Sequence, residues 1–253
     1  WFNPGLYITN KVLFDRLITC DGGLAPTRPK MAKYYKLSKD AKTLTFELKS
    51  GLQWHDSSPI TADEIKWNIE LALKVPNIMP IFKTTFRSLE GAEKFVNGSA
   101  TSVSGIVVNG NKITLSFEKV DPNVLLTFSQ WSPLPRKQLE DVDPTKFQQN
   151  PFWQNPIGSG PYKVQDVKMN DYLVMVPYEN YHEGIARIDE IVAYPSKDND
   201  ANLVKNASAR KLDYGFTKNV ADVKALEEMG HMRVQPADIP YTRMIWFNKY
   251  PKK

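Results

Sequence analysis

Residues 43–49 alternate polar and apolar side chains with a period of two, and this pattern predicts a half-buried β-strand. The positions that would face a core are Leu44, Phe46 and Leu48. A helix signal follows. Thr61 and Glu64 form a capping box, in which each side chain accepts a hydrogen bond from the other residue's backbone amide. A strand followed by a capped helix predicts a packed domain that contains both element types.

The helix predicted after Thr61 has a well-defined apolar side and a well-defined end. Its apolar positions at helical spacing are Ile65, Ile69 and Ala72 or Leu73. Pro76 lacks the amide hydrogen that a helix interior needs, so the helix should end after Lys74-Val75.

Turn signals place the remaining elements. Asn109-Gly110 between two β-rich runs predicts a hairpin over residues 106–115, with this pair supplying the positive φ angles of the turn. Asn219 and Gly230 bracket an amphipathic helix as its N-cap and left-handed C-cap. Further strands are predicted at 172–178, 188–194 and 243–247. The fold class is therefore α/β in the mixed α+β sense, without a regular βαβ array.

Composition excludes several classes of protein. The 253 residues include 33 basic and 28 acidic side chains for a net charge of +5, and no block of like charges forms a nucleic-acid-binding stripe. No apolar run reaches the roughly 18–20 residues of a membrane-spanning helix. A single cysteine permits no intramolecular disulfide. We expect no nucleic-acid partner and no membrane contact through this chain.

No catalytic or metal-binding motif stands out. The three histidines lie far apart in the sequence and match no zinc-site spacing. Ser159 lies in Gly158-Ser159-Gly160, whose flanks do not form the nucleophile elbow G-x-S-x-G. Cys20 is interpreted as a small buried apolar side chain. We therefore predict a protein that is not an enzyme and needs no cofactor or metal.

Several stretches resemble, in the same order, the family 5 bacterial extracellular solute-binding proteins, the dipeptide- and oligopeptide-binding components of ABC importers. The stretches are 31–40, 42–49, 51–56, 59–65, 155–162, 180–182, 188–191 and 245–248. Ser57-Ser58 departs from the family, which usually has a glycine after the aspartate at this turn.

The resemblance implies one lobe of a type II periplasmic-binding-protein-like fold, with a mixed-sheet sub-domain and a smaller hairpin-containing sub-domain. Residues 1–17 and 136–253 would form the hinge-proximal sub-domain. Residues 18–135 would form the side sub-domain, with the proline-rich stretch 131–161 crossing between the two. Since family members have two lobes around a cleft and this chain stops near the hinge crossing, we expect the second lobe to be absent.

The resemblance also implies the function. A solute, with peptide as the default, would be held in the interlobe cleft for uptake by an ABC transporter, and this chain would supply one face. In the family, a carboxylate that meets the peptide amino terminus comes from the second lobe. We expect a monomer that works with the permease subunits, as a cell-surface lipoprotein or in a periplasm. The targeting signal would have been removed, and the anchor cysteine would lie upstream, because Cys20 is too deep in the pattern.

The resemblance points to six ligand-binding residues in three places. They are Phe2, Asn3, Pro4, Gly5, Phe82 and Trp131. Each place has a structural alternative: Phe2 at a frayed terminus, Phe82 in the core, and Trp131 as a packing anchor between sub-domains. Other functions also stay open: a solute-sensing lobe of a cytoplasmic regulator, or the same scaffold binding nickel or an oligosaccharide.

Overall fold

The computed structural model describes residues 1, 8–21, 25–195, 202–217 and 219–236. The strands are β1 (Ile18–Cys20), β2 (Pro26–Pro29), β3 (Ala32–Leu37), β4 (Thr43–Leu48), β5 (Ile106–Asn109), β6 (Lys112–Ser116), β7 (Tyr162–Lys168), β8 (Tyr172–Pro177) and β9 (Ile191–Ala193). The α-helices are α1 (Ile8–Leu13), α2 (Ala62–Lys74), α3 (Pro80–Arg87), α4 (Ala92–Val96), α5 (Val124–Gln130), α6 (Arg136–Leu139), α7 (Asn202–Ser208) and α8 (Val220–Glu228). Two 3-10 helices, η1 (Pro144–Gln149) and η2 (Pro151–Gln154), follow α6.

The chain divides into two compact units. One comprises residues 1–21 and 25–195, and the other comprises 22–24 and 196–253. The finer division at residues 17 and 136 stays a prediction. In the part of the chain that the structure describes, no helix has the length and apolarity to cross a bilayer.

The first unit is built on an antiparallel four-stranded sheet with the order β3-β4-β6-β5. The predicted strand is confirmed as β4, and its alternation sets its inner face: Leu44, Phe46 and Leu48 are all buried. Phe46 pairs with Ile113 of β6, so apolar side chains from adjacent strands share the core face.

Helix α2 is capped as predicted. The Thr61 hydroxyl accepts from the Glu64 amide at 3.2 Å, and the Glu64 carboxylate accepts from the Thr61 amide at 3.3 Å. The helix ends at Lys74, with Val75 in an extended conformation before Pro76. The pattern did not indicate the role of Asn68. Its fully buried amide makes two 2.8 Å hydrogen bonds to the Leu134 backbone.

The β5–β6 hairpin is confirmed, but its turn lies one residue later than predicted. Asn109 pairs with Lys112, so the two turn residues are Gly110 and Asn111. Gly110 has a φ of +57°, whereas Asn109 is the last residue of β5 and does not have a positive φ. The prediction that Asn109 shares the positive φ is therefore wrong, because ladder pairing keeps that residue extended.

Four buried aromatic rings join the helices to this sheet. Phe46 on β4 lies 5.1 Å, centroid to centroid, from Phe128 on α5. Phe86 on α3 lies 5.9 Å from Phe128 and 5.3 Å from Trp131. The cluster fixes α3 and α5 on the sheet and holds the segment after α5 close to both helices.

A second antiparallel sheet, with the order β7-β8-β9, follows the proline-rich stretch. The strand predicted at 172–178 is confirmed as β8, while the one predicted at 188–194 is shorter. Ile188 is 60% exposed and lies before β9, and its carbonyl accepts from the Tyr162 hydroxyl instead of joining the ladder. The strand predicted at 243–247 lies outside the described residues.

In the second unit, α8 confirms the predicted helix. The Asn219 side chain accepts from the Ala221 amide as an N-cap, and Gly230 has a φ of +66° just past the end. The apolar positions on its predicted apolar side are Val220, Val223, Leu226 and Met229. Only Leu226 is buried, and Val220 is 69% exposed.

Candidate functional site

Trp1 brings together segments that are distant in the sequence. Its carbonyl accepts from the Met79 amide at 2.9 Å, and its indole Nε1 donates to the Ser132 carbonyl at 2.7 Å. Its ring lies 5.0 Å from that of Phe147 and 6.1 Å from that of Trp131. We call these five residues the Trp1 cluster.

The Trp1 cluster brings together two of the three places at which site residues were predicted. Phe2, Asn3, Pro4 and Gly5 lie outside the described residues but directly follow Trp1 in the chain. Met79 is the N-cap of α3, the helix that carries Phe82. Trp131 belongs to the cluster itself, so two of the three places meet beside Trp1.

The side chains of the two described candidates are both buried. Phe82 is 2% exposed and Trp131 is 1% exposed, each within the hydrophobic core. Neither ring offers its face to a solute in this chain. Their roles in binding stay predictions.

Arg16 lies near the segment that contains Trp131 and was not identified as a candidate site residue from the sequence. Its Nε donates to the Gln130 carbonyl at 3.3 Å, directly before Trp131, and the side chain is half-buried. Burial lowers the pKa of the Arg16 guanidinium, while Asp15 and Cys20 oppose that shift. The clue that could have revealed it is a charged pair, Asp15-Arg16, inside an otherwise apolar run.

Asp15, the residue before Arg16, is the centre of a buried hydrogen-bond network. Asp15 is 3% exposed. Its carboxylate accepts hydrogen bonds from the Tyr181 hydroxyl at 3.0 Å and from His182 Nε2 at 2.7 Å. Burial, followed by the charge of Asp15, raises the pKa of the Tyr181 phenol well above its usual range, so Tyr181 stays a donor.

The network continues to the solvent through lysines. Lys49 Nζ lies 3.4 Å from His182 Nδ1 and 3.1 Å from Glu183 Oε1, and Lys30 also pairs with Glu183. The pairs join the chain just before β3 and just after β4 to the segment that follows β8. These groups form hydrogen bonds and ion pairs with one another, so we interpret their role as structural.

His55 and the Gly158-Ser159-Gly160 stretch form a close-packed joint with α1. His55 Nδ1 accepts from the Gly158 amide at 3.1 Å, and its Nε2 donates to the Gly160 carbonyl at 2.9 Å. Burial lowers the pKa of His55 to about 4, so the imidazole is neutral at pH 7. The hydroxyl of Ser159 is buried and accepts from the Asp15 amide at 3.0 Å, which is a packing role.

The residues that the structure describes contain no group of three or more histidine, cysteine or acidic side chains that could hold a metal ion. The Trp1 cluster and the neighbouring Arg16 offer hydrogen bonds, aromatic contacts and a half-buried guanidinium.

The chain matches the family model for bacterial extracellular solute-binding proteins, family 5 Middle, over residues 27–253. It is 24% identical to a putative ABC transporter peptide-binding protein of Brucella ovis over 98% of this chain and 45% of that protein. It is 22% identical to the nickel-binding protein NikA of Staphylococcus aureus over 88% of this chain and 40% of NikA. The chain therefore spans less than half the length of these relatives.

The fold also matches a solved structure. The oligopeptide-binding protein AppA of Bacillus subtilis, solved in complex with a nonapeptide, aligns with a TM-score of 0.71 at 18% identity. The alignment covers 86% of this chain and 40% of AppA. It confirms the predicted fold class, that of type II periplasmic binding proteins. With the family match extending over most of its length, this chain belongs to the family 5 bacterial extracellular solute-binding proteins.

Proposed function

We propose that this chain forms one face of an interlobe cleft in an extracytoplasmic receptor that captures a solute, with peptide as the expected class, for an ABC importer. The observation that carries the proposal is the Trp1 cluster. It joins the start of the chain, the start of α3 and the segment after α5, which the family resemblance assigns to the cleft.

The mechanism follows from the physics of a cleft. A two-lobe receptor closes about its hinge, removes water from the solute, and lets both lobes contribute contacts. An extended peptide satisfies its amides by pairing with an exposed backbone edge, so affinity does not depend on every side chain. The family resemblance assigns this pairing to residues 2–5, which lie outside the described residues.

The shared length supports a second lobe in the complete receptor. The chain covers 45% of the Brucella relative and 40% of AppA, and a cleft needs both walls. We expect the complete receptor to be a monomer outside the cytoplasmic membrane, retained by a lipid anchor or by a periplasm. It would deliver the solute to permease subunits.

Native mass spectrometry of the complete receptor, purified without denaturation, tests this proposal. We expect a mass excess over the apo-protein that fragments as peptide, and its loss after unfolding and refolding in the absence of solute. Because one relative is a nickel-binding protein, the same spectra should also be searched for a metal adduct. A complete receptor that carries no solute and binds DNA through a fused domain would contradict the proposal and favour a regulator.

A further inference from the structure

The guanidinium of Arg16 has more donors than the described structure uses. An arginine side chain carries five N–H donors, and among the described residues only Nε of Arg16 has a hydrogen-bond acceptor, the Gln130 carbonyl at 3.3 Å. None of the carboxylates among the described residues forms a salt bridge with it. The four N–H groups at the end of the side chain therefore have no hydrogen-bond acceptor among the described residues.

The polar groups next to Arg16 are already engaged. The carboxylate of Asp15 accepts from Tyr181 and His182. The Cys20 thiol donates to the Ser129 hydroxyl at 2.9 Å, and that hydroxyl donates to the Leu126 carbonyl at 2.8 Å. Asp15 therefore acts on the guanidinium through its charge, and no carboxylate among the described residues forms an ion pair or a hydrogen bond with it.

A second unused donor lies on the next residue of the same segment. Trp131 Nε1 is buried without a hydrogen-bond partner among the described residues. The Gln130 carbonyl that Arg16 contacts belongs to the peptide bond that leads into Trp131. Trp131 is 1% exposed, so its indole N–H lies in the core, whereas the half-buried Arg16 side chain reaches the surface beside the same backbone.

A half-buried guanidinium has lost part of its hydration, and the charge of Asp15 and the Gln130 carbonyl compensate for only part of that loss. Burial is also the main reason that the pKa of Arg16 is lowered. A guanidinium presents a planar fork that matches a carboxylate with two parallel hydrogen bonds. A carboxylate supplied from outside the described residues would satisfy the terminal N–H groups of Arg16.

We propose that Arg16 binds a free carboxylate of the captured solute, through the N–H groups of its terminal fork. The inference rests on the proposed function, since it takes the anion to be part of the solute. It makes Arg16 a specificity residue that favours solutes with a free carboxylate over their neutral amides.

The first experiment uses chain 1–253 with two small probes, N-acetylalanine and its amide. The Nε–H resonance of Arg16 is assigned by its loss in Arg16→Lys and followed during each titration by nitrogen-15 NMR. We expect a saturable shift with the carboxylate only. Arg28, which is exposed, serves as the matched control and should show no saturation. The absence of a saturable shift, or equal shifts with the amide, would overturn the inference.

The second experiment uses the complete receptor and a peptide with a free or an amidated C-terminus. Arg16→Gln should weaken binding of the free acid about 10- to 100-fold and leave the amide unchanged, since a hydrogen bond to a charged group is lost. A peptide that also carries an acidic side chain separates the two sources of carboxylate. If both forms lose affinity equally while the melting temperature falls, Arg16 is structural and the inference is wrong.

The two experiments also separate this inference from the proposed function. Saturable carboxylate binding at Arg16, together with a complete receptor that binds no peptide, would retain the anion site and reject peptide capture. Peptide binding that is indifferent to Arg16 would do the reverse.

Discussion

At the scale of single residues, we expect His55 to make the fold less stable in mild acid. Both ring nitrogens are used in the neutral form, one accepting from Gly158 and one donating to Gly160. Protonation would place a hydrogen on Nδ1, opposite the Gly158 amide. The folded state therefore binds its proton only at a pKa of about 4, whereas an unfolded histidine titrates near 6.5.

The sign of the pH effect follows from this difference. Between pH 6.5 and 4 the unfolded chain binds the proton and the folded chain does not, so stability is lost as the pH falls. We expect His55 to account for about 2 kcal/mol of lost unfolding free energy between pH 7 and pH 5. Urea unfolding at both pH values should show this loss reduced in His55→Gln and retained in His231→Gln. Equal losses in the two variants would contradict the assignment.

Trp131 has a structural role as well as a predicted role in binding. Two substitutions of different size can separate these roles by experiment. At 1% exposure, its truncation removes ring contacts with Phe86 and Phe128. Trp131→Ala should lower the unfolding free energy by about 3–5 kcal/mol. Trp131→Phe keeps a ring in place and should cost much less, since the indole N–H has no described partner to abandon.

Denaturant unfolding measures both variants of Trp131. If Trp131→Ala unfolds within about 1 kcal/mol of the parent chain, the ring does not belong to the core in solution. Because Trp131→Phe should leave the fold intact, it is the variant with which to measure solute affinity in the complete receptor.

At the scale of elements, the joint between α1 and the Gly158-Gly160 stretch is the tightest backbone contact near the site. A Cβ on Gly158 would lie 1.9 Å from the Leu13 carbonyl oxygen, and one on Gly160 would lie 2.2 Å from that of Val12. Neither neighbour is a flexible side chain, so the backbone itself would have to move.

Gly158→Ala should therefore destabilise the chain by about 3 kcal/mol or more. Gly98→Ala is the matched control, because Gly98 has a positive φ of +80° and nothing within 4 Å of the added Cβ. Its cost should be only the about 1–2 kcal/mol of a left-handed alanine. Equal melting temperatures for the two variants would show that the close approach to α1 is not present in solution.

The elements that the sequence predicted well are those with local signals. The alternation of β4, the capping box of α2 and the Asn219 and Gly230 caps of α8 depend on residues a few positions apart. The hairpin was placed correctly, but its turn was shifted by one residue, because ladder register decides which residues become the turn.

Other features depend on partners far along the chain and left no local pattern. Asn68 occurs on the apolar side of α2 and reads as an interruption, but it binds the Leu134 backbone 66 positions away. Ile188 reads as a strand residue, but its carbonyl serves the Tyr162 hydroxyl. Such tertiary hydrogen bonds override local preference.

At the scale of the whole molecule, the family resemblance identified the fold, whereas the binding residues that it implies stay predictions. Trp131 lies where Trp1 meets the segment after α5, and its ring is buried. Arg16 and Asp15 were missed because a charged pair in an apolar run does not show which buried groups it will meet. Spacing alone cannot tell a satisfied carboxylate from a guanidinium with unused donors.

The central claim is that this chain is half of a receptor whose affinity requires closure of two lobes. Isothermal titration calorimetry compares chain 1–253 with the complete receptor, using the peptide identified by mass spectrometry. The account predicts tight binding by the complete receptor and binding at least about 100-fold weaker by the chain, because one open face leaves the solute in water. Submicromolar binding by the chain alone would contradict it.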